Sequence, residues 1–169
     1  MRKNYALQVA TGGIIAGLYI VLTIIAAAVG LASGVIQVRI SEALTILPVF
    51  TGAAIPGLTV GCVLANLITG CALWDVVFGS LATLIGAVGT RLLRKHPYLA
   101  WIPPVVSNMA IVPIVLQKVY GATEAWWYLV ITVGIGEIIS CGILGLLLYQ
   151  AVRKLPEKLT GNIFPDMER

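Results

Sequence analysis

The stretch "SEALTILPVFTGAAIPGLTVGCVLANLIT" (residues 41–69) decides how this chain folds. Its 29 residues are long for one membrane crossing, which takes about 20 residues, and short for two. Gly52 and the Pro56-Gly57 pair interrupt it as a turn would. Four other apolar runs surround it, at 9–31, 74–93, 99–119 and 125–152. Parity is set by the basic residues, because cytoplasmic loops collect Lys and Arg. With Arg2 and Lys3 inside, a single crossing of 41–69 leaves Arg91, Arg94 and Lys95 outside. Two crossings bring them inside, together with Arg153, Lys154 and Lys158. The expected fold is therefore an all-α membrane protein, a six-transmembrane-helix bundle with both termini cytoplasmic. The second and third spans are short, and a re-entrant pair is the alternative. Residues 1–154 form the membrane domain, and 155–169 form a polar cytoplasmic tail, extended by Pro156 and Pro165.

Composition points the same way. Of 169 residues, 59% are hydrophobic and 11% charged, and the mean hydropathy is +0.99. The apolar residues come in long runs and lack the period-2 alternation of a membrane barrel. The net charge of +4 then reads as topology, not as affinity for nucleic acid. The apolar run 9–31 exceeds the length of a signal-peptide core and reads as the first span. Cys62, Cys71 and Cys141 are odd in number and scattered, with neither a disulfide framework nor metal spacing. His96 is the sole histidine and lies in a basic loop, which argues against histidine metal sites and Ser-His catalysis. No Gly-rich phosphate loop is present, so ATP hydrolysis is not expected in this chain, and no cofactor is. No repeat of 20–50 residues appears, which disfavours an inverted-repeat carrier.

Charge inside an apolar bundle costs free energy, so each polar residue there needs a reason. On the six-span topology Glu42, Asn66 and Asp75 fall at or near outer helix ends, Trp74 beside Asp75. Asn108 sits mid-span and Gln117 near an outer end. Glu137 lies about 12 residues into the last span, roughly 18 Å deep at 1.5 Å per residue. Arg39 is the outer arginine and Lys118 the outer lysine, free to snorkel. The outer half holds the polar residues and the inner half is apolar down to the basic loops. That distribution reads as a pocket open outside and closed below. Structural roles compete for each residue. Ser41 caps a helix with Glu42 in its first turn, Arg39 pairs with Glu42, Asp75 is a first-turn acid, and the asparagines bridge helices. Trp74 and Lys118 suit an interface. Glu137 is the exception, deep and without a base nearby on its own helix. An excess of carboxylates over bases favours a cationic or donor-rich ligand, with Trp74 as a stacking face. Gly12 and Ala16, Gly13 and Gly17, and Gly57 and Gly61 form small-xxx-small pairs, suited to close packing within the chain or to docking another membrane subunit.

"VRISEALTILPVFTGAAIPGLTVGCVLANL" (38–67) followed by "WDVVFGSLATLIG" (74–86) resembles the QueT-type family, substrate-binding (S) components of energy-coupling factor transporters assigned to queuosine precursors. The resemblance spans about 9–152. It implies a multi-pass subunit of the bacterial plasma membrane that captures 7-deazaguanines from outside. It implies a transmembrane coupling (T) subunit and two cytosolic ATPase subunits as partners, docked through the first-helix positions Gly12/Ala16 or Gly13/Gly17. Glu137 or Glu42 would then read the guanine edge, and another carboxylate such as Asp75 would meet an aminomethyl group. Trp74 would stack, and Asn66 and Asn108 would orient the base. A stand-alone proton-coupled carrier using Glu137 as its relay is the competing class, and a non-transporting membrane scaffold the third.

Overall fold

The computed structural model describes residues 5–31, 36–156, 160 and 163–164. Arg2, Lys3 and Lys158, on which the topology reading leans, lie outside the described residues. The described residues are all helical, without strands. In chain order they form α1 (Tyr5–Ala28), a 3-10 segment (Ile40–Val49), α2 (Ala54–Ile68), α3 (Leu73–Leu92), a 3-10 turn (Pro97–Leu99), α4 (Ile102–Lys118) and α5 (Trp126–Glu137). A π-helical segment (Ile138–Leu144) and α6 (Gly145–Arg153) complete them.

Four stretches are long and apolar enough to cross a membrane: Tyr5–Ala28, Leu73–Leu92, Pro97–Lys118 and Trp126–Arg153. Their surfaces say the same. α1 buries Thr11, Gly12, Ile15, Ala16 and Tyr19 on one face and exposes Val9, Ile14, Leu18, Val21 and Ile25 on the other. A helix in water would carry polar residues on that second face. The stretch 41–69 does divide into two, but the turn falls at 50–53. Pro56 and Gly57 lie inside the first turn of α2, where a proline's missing N–H has no partner to lose. At about 2.0 Å per residue the 3-10 segment spans roughly 20 Å, and at 1.5 Å α2 spans roughly 22 Å. Both fall short of a hydrocarbon core of about 30 Å.

The 3-10 segment is the axis of the bundle. Nine of its ten residues are buried, and α1, α2, α3, the π segment and α6 all pack on it. Three residues per turn stack its side chains in columns at i and i+3. Ser41 heads the column toward α1, where its Oγ accepts a hydrogen bond from Thr23 at 2.9 Å. Glu42 and Thr45 form the column toward the π segment, where Thr45 Oγ1 meets Cys141 Sγ at 3.5 Å. Ala43 and Ile46 lie beside Gly145. Ser41 is therefore not the helix cap: the segment begins after extended Arg39, with no side-chain cap. At the far end Arg91 Nη1 donates to Pro48 O at 3.0 Å, tying the basic end of α3 to the axis.

Around this axis, consecutive helices pack through glycine. A Cβ on Gly57 would stand 2.6 Å from Gly12 O, and one on Gly61 would stand 2.9 Å from Tyr19 Cβ and 3.0 Å from Ala16 Cα. The Gly12/Ala16 pair is thus taken up by α2, inside the chain. Gly13 and Gly17 are exposed beside that face, with nothing within 4 Å of an added Cβ. Gly86 and Gly89 of α3 receive Pro104 and Pro103 in the same way. Phe164 packs against Phe50, with ring centroids 5.5 Å apart, and Phe50 stacks on Tyr149. The segment after residue 155, expected to be extended, therefore returns to the bundle at Phe164.

These close approaches predict an asymmetry between the two faces of α1. Gly57→Ala and Gly61→Ala, which push a methyl into rigid backbone, should each destabilise the protein by about 1–3 kcal/mol. The drop should appear as a lowered melting temperature in detergent, while Gly13→Ala leaves it unchanged.

Candidate ligand site

A cavity of about 440 Å³ opens at the end of the bundle opposite Arg91, Arg94, Lys95 and Arg153. That volume falls in the usual range of small-molecule sites. Each wall comes from the same end of a different helix: Thr23 of α1, Asn66 of α2, Asp75 of α3 and Val112 of α4, with Gln37 and Arg39 from the extended stretch before the axis. Gly136 lets that stretch cross α5, since a Cβ there would lie 2.0 Å from Gln37 O. Asn66 and Asp75 are buried, and Arg39 is half-buried. Asp75 Oδ2 accepts a hydrogen bond from Tyr120 Oη at 2.9 Å, and Tyr120 Oη accepts one from Ala72 N–H at 3.1 Å. Tyr120, at the turn whose Gly121 takes a φ of 67°, so fastens the α4–α5 connection to the start of α3.

One helical turn deeper lies a second polar layer. Thr23, in the cavity wall, hydrogen-bonds Tyr19 O, and Tyr19 Oη donates to Glu42 Oε1. Glu42 is 1% exposed and its Oε2 has no hydrogen-bond partner. No ion pair within 4 Å joins it to Arg39 among the described residues, so the alternative of a mutual pair is not formed. Across from it, Glu137 Oε2 accepts from Cys141 Sγ at 3.3 Å. Donor atoms of Glu42, Glu137 and Cys141 lie within 4.8 Å of one another, close enough to share a cation. Glu137 is the last α-helical residue before the π segment, the kind of local widening that recurs at functional positions. Asn108 faces Glu137, yet its Nδ2 has no partner of ordinary geometry, and Ser80 Oγ is likewise orphaned. Buried polar atoms are normally paired, so the orphaned atoms of Glu42 and Asn108 set this layer apart.

Two levels thus emerge from the expected residues. Arg39, Asn66 and Asp75 wall the cavity, while Glu42, Glu137 and Asn108 are buried below it. Glu42, expected at the rim, belongs to the deep layer. Trp74 is brought to neither. Asp75 points inward, and its chain neighbour, about 100° around the helix, points out. Trp74 is 61% exposed, stacked on Phe78, in an outer apolar groove it shares with Lys118. Tyr19, Ser80, Tyr120 and Cys141 were not anticipated. Tyr19 carried a signal, since it continues the Gly12/Ala16 face at helical spacing. Tyr120 reaches Asp75 across 45 residues of sequence, and no local pattern announces it.

The described residues thus form an apolar-surfaced helical membrane protein with a cavity at one end that carries Arg39, Asn66 and Asp75. Residues 9–154 match the family described as QueT transporter. The chain belongs to the QueT transporter family. It is 34% identical over 86 residues to "Queuosine precursor transporter QueT" of Lactococcus lactis subsp. cremoris (strain MG1363), a match covering 50% of each chain. The chain thus spans about half the length of the curated relative it matches. No solved structure matches it.

Burial pushes the Tyr120 phenol up to about 12, and its hydrogen bond to the Asp75 carboxylate adds to the shift. A folded-state value above the ordinary 10 or so favours the neutral phenol. Its contribution to stability is present below about pH 10 and is lost as pH rises toward 12. Ultraviolet difference titration of wild type against Tyr120→Phe should isolate a component with its midpoint near 12.

Proposed function

We propose that this protein is the substrate-binding component of an energy-coupling factor transporter, capturing queuosine precursors or related 7-deazaguanines from outside the bacterial cell. The cavity with Arg39, Asn66 and Asp75 in its wall carries this reading, placed at the end opposite the basic cluster. By the positive-inside rule the basic end faces the cytoplasm and the cavity faces out. The 3-10 segment and α2 then form an inward and outward pair of short crossings, giving six spans with both termini cytoplasmic. Such a geometry binds and holds a ligand. Among the described residues it offers no polar path through the apolar half, so transport needs movement driven by other subunits. A transmembrane coupling subunit and two cytosolic ATPases supply it. The exposed Gly13/Gly17 face, left open where Gly12/Ala16 is not, is the docking face for the coupling subunit.

A 7-deazaguanine presents ring and exocyclic N–H donors side by side with a carbonyl acceptor. Asp75 and Asn66 can accept from the donors, and Arg39 can donate to the carbonyl. Glu42, Glu137 and Asn108 lie within reach of the ligand's inner end. Calorimetry on purified protein should show Asp75→Asn and Asn66→Leu each weakening binding of a 7-deazaguanine at least tenfold, about 1.4 kcal/mol. Trp74→Ala, outside the cavity, should stay within twofold. Equal affinity in all three variants would remove the cavity from the binding role. In cells, uptake should require the coupling subunit and ATPases. Uptake that survives their loss but collapses with a protonophore would make the protein a proton-coupled carrier instead.

A further inference from the structure

The deep layer gathers two buried carboxylates and a thiol around one point. Glu42 and Glu137 bring carboxylate oxygens within 4.8 Å of each other, alongside Cys141 Sγ. Both residues are more than nine-tenths buried. Tyr19 satisfies Glu42 Oε1 and Cys141 satisfies Glu137 Oε2, while Glu42 Oε2 is left bare. Among the described residues no Lys or Arg lies within 4 Å of either carboxylate. Arg39, the nearby guanidinium, lines the layer above. Two buried carboxylates this close need a positive charge or donated hydrogens between them. A compact group with several hydrogens serves best, because Glu42 Oε2 and the Glu137 carboxylate both accept.

Resting on the functional reading above, we infer that the Glu42–Glu137 pair is a subsite for a protonated primary amine carried on the ligand. An ammonium has three donors and a full charge. It meets Glu42 Oε2 and the Glu137 carboxylate together, with Asn108 alongside. The deazaguanine ring then stays in the outer cavity with Arg39, Asn66 and Asp75, and its amine-bearing substituent extends one turn inward. A nitrile at the same position offers only an acceptor and confronts carboxylates that also only accept. The pair thereby selects among queuosine precursors by charge, reversing the assignment in which Asp75 meets the amine.

The test is calorimetry on the purified full-length protein with an aminomethyl-bearing 7-deazaguanine, its nitrile counterpart, and Zn²⁺ alone. Wild type should bind the amine at least 100-fold more tightly than the nitrile. Glu137→Gln should cut that preference at least tenfold. Glu42→Gln should do the same, and it retains an oxygen for Tyr19. If one variant does not fold, the other decides. Equal or tighter binding of the nitrile by wild type, or an undiminished preference in the folded variants, would overturn the inference while leaving the cavity's role intact. Stoichiometric Zn²⁺ binding that disappears in Cys141→Ala would also overturn it, in favour of a metal site. If neither base binds, the queuosine-precursor reading falls and the inference with it.

Discussion

Everything in this bundle hangs on a thin helix buried on every side. The Ile40–Val49 segment presents three columns of side chains, and a different neighbour claims each. A 3-10 helix is narrower than an α-helix and leaves poorer backbone hydrogen bonds. The surroundings make up part of that deficit. Thr45 Oγ1 and Cys141 Sγ both point to Glu42 O, and Arg91 caps the chain at Pro48 O. A buried backbone group left unpaired is costly anywhere and more so in lipid. The position of the axis is therefore fixed along its length, at one end by Arg91 and at the other by the Ser41–Thr23 contact.

That fixed axis explains how an apolar protein holds carboxylates at its centre. Glu42 sits in the first turn of the axis, so its depth is set by the packing of the segment below it and not by its own solvation. Tyr19 reaches it because Gly57 and Gly61 let α2 close on α1 along the Gly12/Ala16 face. Glu137 meets it because Gly136 admits the Gln37 backbone and the π segment widens immediately afterwards. Small residues at helix contacts thus do two jobs: they replace the hydrophobic drive that is missing between helices in lipid, and they set the separation of the charged groups. A core optimised for stability alone would pair every one of these polar atoms. Glu42, Asn108 and Ser80 instead each keep a buried polar atom without a hydrogen-bond partner.

Much of this could be read before any coordinates. Long apolar runs gave the four long helices to within a few residues, because membrane spans are specified by hydropathy over a whole window. The interruption read within 41–69 is present, though the sequence did not reveal that its first half is a 3-10 axis, since one buried apolar run resembles another at either period. The place of Glu137 along its helix followed from counting residues. Helix rotation did not follow, and rotation is what separates Asp75 in the wall from Trp74 in the lipid-facing groove. The small-residue pairs were visible, but which pair the chain uses internally depends on where α2 lies. Partners such as Tyr120 and Cys141 belong to contacts 45 and 99 residues apart in sequence, which no local pattern encodes.

A structure of the protein with its bound ligand tests most directly whether the axial segment builds the site. Ring density between Arg39, Asn66 and Asp75, with the ligand's inner end within hydrogen-bond distance of Glu42 or Glu137, is the expected result. A ligand seated in the outer groove beside Trp74 and Lys118, with the Glu42 layer unchanged and distant, would show that the site is built elsewhere.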